Sequence, residues 1–217
     1  TQARTVGIAI NGVKFEPDTA ERAVCDGSVQ HSIEAIQDVT ELGLDVNNAH
    51  VQPTGEYHYH GVSDLLVDLY STENDLVHVG FAADGHMIYY SKSNAYKPSY
   101  QLGTDAREGT NCSYTVPGPS GGEVIEFGPT KDGSLKSDWD FDASLGDLDE
   151  CNGIEINGEY VYLLTDSYPY VGRCLMGEFS EAPLGGGEGG TAPTGQTGGT
   201  PPSGPPPSGG AGQGPPQ

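Results

Sequence analysis

The chain has 217 residues, with nine Lys and Arg against 31 Asp and Glu and a formal net charge of −22. That length allows one domain of ordinary size plus a tail, and the charge repels nucleic acid and anionic lipid while attracting divalent cations or basic partners. No apolar run is long enough to span a bilayer and no signal peptide stands at Thr1, so a soluble, already processed chain is expected.

Val6, Ile8 and Ile10 alternate with small residues and end at the turn pair Asn11-Gly12, after which Val13 and Phe15 resume. This predicts an opening hairpin. Ile33, Ile36, Val39 and Leu42 recur at helical spacing and stop before Gly43, which predicts a short helix over 32–42. In Gly55-Glu56-Tyr57-His58-Tyr59-His60-Gly61 the alternation places two tyrosines on one face of a strand and two histidines on the other. Asp84-Gly85 is the strongest hairpin signal. As a two-residue turn it would set Ala83 opposite His86, Phe81 opposite Ile88 and Val79 opposite Tyr90 on one side, with His78 on the other. Further strands are predicted at 123–127 and 158–164. Asp138, Asp140 and Asp142 alternate with Trp139 and Phe141, as in a strand that buries its aromatics and exposes a row of carboxylates. A solvated face explains that row ahead of a calcium site, since no Asp-x-Asp-x-Asp-Gly loop is present.

Gly158-Glu159-Tyr160-Val161-Tyr162-Leu163 repeats the Gly-Glu-Tyr-x-Tyr frame of residues 55–60, and each copy follows an Asp-x-x-Asn, Asp45 to Asn48 and Asp149 to Asn152. The chain therefore contains an internal duplication. The two aspartates fit turn-organising residues better than a catalytic carboxylate pair. From Gly185 onward the sequence is dominated by Gly and Pro and holds no aliphatic side chain larger than Ala. It cannot build a core. Pro201-Pro202-Ser203-Gly204 is echoed by Pro206-Pro207-Ser208-Gly209 after Pro205, suggesting a polyproline-type arm. Thr191, Thr194, Thr197, Thr200, Ser203 and Ser208 are candidate positions for O-linked sugars. At about 3.1 Å per residue the arm reaches well beyond its own domain, and ordering it costs about 1 kcal/mol per residue or more, so a neighbouring copy is its expected holder.

The chain resembles the YHYH-domain family through Asn11-Gly12-Val13, Gly43-Leu44-Asp45, Asn48-Ala49-His50-Val51-Gln52-Pro53 and the Tyr57 to His60 motif. The resemblance continues through Ala83-Asp84-Gly85, Gly146-Asp147-Leu148-Asp149-Glu150-Cys151-Asn152-Gly153 and Tyr168-Pro169-Tyr170 up to Cys174, covering roughly residues 5–178. It implies an exported protein and no particular reaction, and the family has His where this chain has Asn47 and Val161. The four cysteines show no Cys-x-x-Cys spacing, which disfavours a zinc ribbon or thioredoxin-like site and favours two bridges. Cys151 and Cys174 both lie in the family-like second repeat and are expected to pair, leaving Cys25 with Cys112. Such bridges imply an oxidising compartment. Asn111-Cys112-Ser113 is formally a glycosylation sequon.

These readings combine into a mainly β domain over 1–184, an antiparallel sandwich or barrel-like arrangement of two related halves with one or two short helices, followed by an extended arm over 185–217. For chemistry, His58 and His60 share a strand face and suit zinc or copper, with His50 folded back by a turn at Pro53-Thr54-Gly55 as a third ligand and His86 as a weaker fourth. The competing reading makes His58 and His60 part of a hydrogen-bonded cross-strand cluster with Tyr57 and Tyr59, since the second repeat places Val161 and Leu163 at the same positions. No Gly-x-Ser-x-Gly elbow or phosphate-binding loop is present. Enzymatic activity is left open, with a non-enzyme favoured. The first functional expectation is a secreted structural protein of an extracellular filament or surface layer, whose arm docks on other copies through Pro201, Pro202, Pro205, Pro206 and Pro207, with calcium, glycans or the docked arms offsetting the charge and glycans or a cell-surface polymer as further partners. The alternative is a secreted zinc- or copper-binding protein or enzyme. A third is a carbohydrate-binding module using Tyr89, Tyr90, Tyr96 and Tyr100.

Overall fold

The computed structural model describes residues 5–118 and 121–178. The predicted arm, with its candidate sugar and assembly positions, lies outside the described residues. Three hairpins open the chain: β1 (Gly7–Ala9) with β2 (Lys14–Phe15), β3 (Arg22–Cys25) with β4 (Val29–Ser32), and β5 (Ala49–Val51) with β6 (Tyr57–Tyr59). The helix α1 (Asp64–Tyr70) leads into the hairpin of β7 (Leu76–Ala82) and β8 (Met87–Ser91). Then come β9 (Tyr100–Leu102), β10 (Cys112–Thr115), β11 (Val124–Phe127) and β12 (Trp139–Phe141), and last the hairpin of β13 (Gly153–Ile156) and β14 (Glu159–Leu164).

The fold is mainly β. Eight strands form one sheet in the order β13-β14-β8-β7-β1-β2-β6-β5, with a four-stranded sheet, β11-β10-β3-β4, and a pair, β12-β9, beside it. The large sheet is mixed rather than wholly antiparallel as expected, because β2 runs parallel to β6 and β8 parallel to β14. Parallel neighbours need long connections, and these two connections carry the remaining strands. One face of the large sheet packs Phe15, Tyr59, Ile88 and Tyr162 in the main core, which also takes in Leu66 and Val67 of α1. A second core lies around Cys25, Ile33, Phe127 and Leu135.

The strand order reads the same from both ends, about an axis between β1 and β7. There Gly7 faces Ala82, Ile8 faces Phe81 and Ala9 faces Gly80. Val6-Gly7-Ile8-Ala9-Ile10-Asn11-Gly12 and Val79-Gly80-Phe81-Ala82-Ala83-Asp84-Gly85 are thus images of one another, a second pair in the duplication that the Tyr motifs alone revealed. Both close through the same bonds: Ala9 N donates to Val13 O and Ala82 N to His86 O, each at 2.8 Å.

Four expectations are corrected. The Asp84-Gly85 hairpin has a three-residue loop, with Gly85 at φ +91°, so Phe81 faces Met87 rather than Ile88. A bulge between His78 and Gly80 then reverses the faces: Val77 and Val79 are buried, but Phe81 turns outward against the His78 ring, 4.7 Å away. Residues 32–42 form no helix. Ile33 is instead bridged to Leu135, Glu34 binds Arg173 at 2.7 Å, and Gln37 Oε1 accepts from Val39 N and Thr40 N, a local turn. The helix falls at Asp64–Tyr70, where Ser63 Oγ caps Leu66 N at 3.2 Å. Asp138 is fully buried rather than part of a solvated row, because it meets the Arg107 guanidinium at 2.6 Å and accepts from Gly133 N and Leu135 N. Of the aromatics beside it, Trp139 stacks on Tyr168 at 4.3 Å while Phe141 stays 40% exposed.

The bridges join Cys25 to Cys112 and Cys151 to Cys174, the pairing implied by the family-like repeat. No helix among the described residues is long and apolar enough to cross a membrane.

A Cβ at Gly80 would lie 2.5 Å from Ile8 O and 2.9 Å from the Phe15 ring, and one at Gly7 would lie 2.5 Å from Phe81 O and 2.7 Å from Ile88 Cδ1. Overpacking of this kind costs about 1–3 kcal/mol. Gly7→Ala and Gly80→Ala are therefore expected to lower unfolding free energy by similar amounts, toward about 3 kcal/mol in urea titrations, with the slope unchanged.

Candidate metal centre

The first half of the duplication builds a clasp before it builds a site. Asp45 Oδ1 accepts from Asn47 N at 2.8 Å, Tyr57 Oη donates to Asp45 Oδ2 at 2.6 Å, and Asn48 takes φ +53° so that its carbonyl accepts from His60 N at 2.8 Å. The Tyr57 bond, followed by the backbone bonds, holds the Asp45 carboxyl below its ordinary pKa. The second half repeats the clasp bond for bond. Asp149 Oδ1 accepts from Cys151 N at 2.9 Å, Tyr160 Oη donates to Asp149 Oδ2 at 2.7 Å, and Asn152, at φ +62°, accepts from Leu163 N at 2.9 Å. Both aspartates organise turns.

Clasp and turn together fix β5 against β6 in the register that sets His50 directly opposite His58. The strand alternation then adds His60 on the same face. The three rings meet edge to face, with centroids 4.6–4.9 Å apart, and one nitrogen from each lies within 4.8 Å of the others. His50 Nδ1 lies 2.7 Å from Leu42 O, and since a carbonyl only accepts, that nitrogen carries the proton and leaves Nε2 with its lone pair. His58 Nδ1 makes a longer contact of the same kind to Glu56 O, at 3.4 Å. His60 Nε2 stands 3.2 Å from His50 Nε2, and His60 Nδ1 is buried without a hydrogen-bond partner. Two nitrogens bound to one tetrahedral zinc at about 2.0–2.1 Å are about 3.3 Å apart. The spacing of this pair suits a shared proton or a shared cation.

Tyr57 and Tyr59 take no part in the cluster. They point to the other face, where Tyr59 Oη accepts from Asn11 Nδ2 at 2.9 Å. The histidines line a cavity of about 320 Å³ together with Glu16, Asp18 and Glu21; the Glu16 charge acts on His58, while the Asp18 carboxylate is paired with Lys136 at 2.9 Å and Arg173 at 3.5 Å. Burial, followed by the neighbouring imidazoles His58 and His50, pushes the His60 pKa down to about 3. Burial also lowers His58, against the pull of the Glu16 charge. At neutral pH His58 and His60 are therefore lone-pair donors rather than cations.

His86 lies apart from the trio. It is the image of Val13 and packs on Tyr160 and Tyr162, at 5.2 and 6.1 Å. Asn111 is exposed beside the Cys25–Cys112 bridge, with its amide 3.3 Å from Asp26 Oδ1. The sequence reading missed His31, which lies within reach of Cys25 and Cys112. Those cysteines are bridged, and the His31 nitrogens meet Glu108 O and Ser137 Oγ, each at 2.8 Å. Only the spatial pairing of β3 with β10 brings the three together.

A family model described as YHYH protein matches residues 1–177. No curated protein and no solved structure matches the chain.

An unfolded chain protonates His60 near pH 6.5, whereas the folded chain keeps it neutral down to about 3. Between those values proton uptake favours the unfolded state, so this group costs up to about 1.4 kcal/mol per pH unit as pH falls, and nothing above about 6.5. His60→Leu, which copies Leu163, is expected to flatten the fall in urea midpoint between about pH 6 and 4 by close to one proton.

Proposed function

We propose, for a chain that belongs to the YHYH protein family, that it is an extracellular metal-binding protein whose His50, His58 and His60 together take one zinc or copper ion. The observation that carries this reading is the convergence of three imidazole nitrogens within 4.8 Å at the wall of an acidic cavity. Imidazole suits both metals. Leu42 O, behind the His50 ring, supplies the outer hydrogen bond that usually fixes the tautomer of a metal ligand. Of the acidic residues lining the cavity, Glu16 acts on His58 and favours a cation there, whereas Asp18 is already paired with Lys136 and Arg173. Three protein ligands leave a tetrahedral ion one further position for water or a small ligand.

Two disulfides support an oxidising, extracellular setting. The reading of the chain as a filament subunit rests on the arm from Gly185, outside the described residues, whereas the metal reading stands on the described domain alone. Metal affinity should fall with pH, because protons compete for the same nitrogens.

Dialysed against zinc or copper(II), the protein is expected to retain one equivalent per chain, and the copper form to show nitrogen superhyperfine splitting from imidazole ligands. His58→Ala should lose the ion and His86→Ala should keep it. Retention by His58→Ala, or a wild-type chain without bound ion after dialysis, would overturn the reading.

A further inference from the structure

The axis that relates the two halves also relates two cavities. It carries Glu16 onto Tyr89, Gln52 onto Ile156 and His58 onto Val161. Glu16, Gln52 and His58 line the histidine cavity, while Tyr89, Ile156 and Val161 line a second cleft of about 480 Å³ on the other half of the same sheet face. The duplicated position has thus changed its chemistry without filling its space. An apolar position that no longer serves a ligand gains by closing up, at about 25 cal/mol per Å² of apolar surface covered. Val161 itself is buried, yet the cleft over it stays open.

From this cleft we infer a saccharide-binding site, independent of the metal reading. Its floor is apolar and aromatic, formed by Tyr89, Tyr96, Met87 and Val161. Its rim is polar, with the amides of Asn74 and Asn157 and the carboxylates of Asp75 and Glu159. No Lys or Arg lines it, which disfavours anionic ligands. A wholly apolar ligand would cover those amides and carboxylates without giving them partners, an unfavourable outcome. A sugar ring meets both demands, since its C–H face lies on tyrosine rings and its hydroxyls both donate and accept.

Two of these groups, Asp75 and Tyr89, are held in place before any ligand arrives. Asp75 accepts from Ser91 Oγ at 2.6 Å and Ser93 N at 2.8 Å. Tyr89 is packed against the His78 ring at 5.2 Å, and its hydroxyl reaches Met87 Sδ at 3.2 Å. Of the four tyrosines singled out in the sequence for carbohydrate binding, the structure brings only Tyr89 and Tyr96 together. Tyr90 Oη is turned to Asp166 and Tyr100 Oη to Glu150 O.

Calorimetric titration of the full chain with neutral hexasaccharides of β-linked glucose, β-linked N-acetylglucosamine and α-linked mannose tests the site. One of them is expected to bind saturably, one per chain. Tyr96→Ala should weaken that binding by about tenfold or more, the loss of one aromatic contact. Ala95→Trp is the decisive variant: Ala95 lines the cleft but is exposed, so a larger side chain there narrows the cleft without removing a core contact, and it should abolish binding even if Tyr96→Ala unfolds. His58→Ala should bind the sugar as the parent does while losing the metal. The proposal is overturned if no hexasaccharide binds, if Ala95→Trp binds as the parent does, or if a tetraalkylammonium ion binds where the sugars do not.

Discussion

The antiparallel contact of β1 with β7 sets the place of every other strand in the large sheet. Gly7 and Gly80 let the two backbones approach where any Cβ would strike a carbonyl oxygen, and each glycine sits opposite the alanine of the other half. Outward from that contact the halves are built alike: a hairpin closed by a three-residue loop, a parallel neighbour, then an outer hairpin. The Asp–Tyr clasp locks each outer hairpin in register. Because register decides which side chains share a face, the clasp is what makes three imidazoles in one half, and Ile154, Val161 and Leu163 in the other, into clusters.

Equivalent frames with different contents give the molecule two surfaces of contrasting chemistry. In the first half the imidazoles lie beside the Glu16 charge, and burial keeps His58 and His60 neutral and able to donate lone pairs. In the second half the same positions are apolar and join Leu148 in a small core of their own, with tyrosines alongside. Polar groups are costly to bury without partners. A histidine cluster would persist in one copy only where something, a proton or a cation, links its nitrogens.

Much of this was legible in the sequence, because the decisive signals are local. The Tyr-His alternation, the Asp-x-x-Asn turns and the Gly-containing hairpin loops each report a conformation within a few residues, and His50, His58 and His60 follow from them with one turn. What was not legible depends on distant partners. The apolar spacing of Ile33, Ile36, Val39 and Leu42 suits a helix in isolation, but Glu34 is claimed by Arg173 and Ile33 by Leu135, both more than a hundred positions away. Asp138 looked like one more surface carboxylate until Arg107 was placed beside it. The bulge at Val79 shifted a register that the turn residues alone misassigned. The Val-Gly-x-Ala repeat was readable but short, and its meaning appears only when both copies are seen to pair.

The β1–β7 contact has a further consequence. It is self-complementary: turning the pair over exchanges Gly7 with Gly80 and Ala9 with Ala82 and restores the same contact. Two half-length chains carrying this strand could pair through the same contact, each supplying one copy of the outer hairpin. In such a dimer every mutation appears twice, so both cavities would carry the same residues. Within one chain each position can differ from its counterpart, and this chain holds imidazoles in one cavity and Tyr89 and Tyr96 in the other.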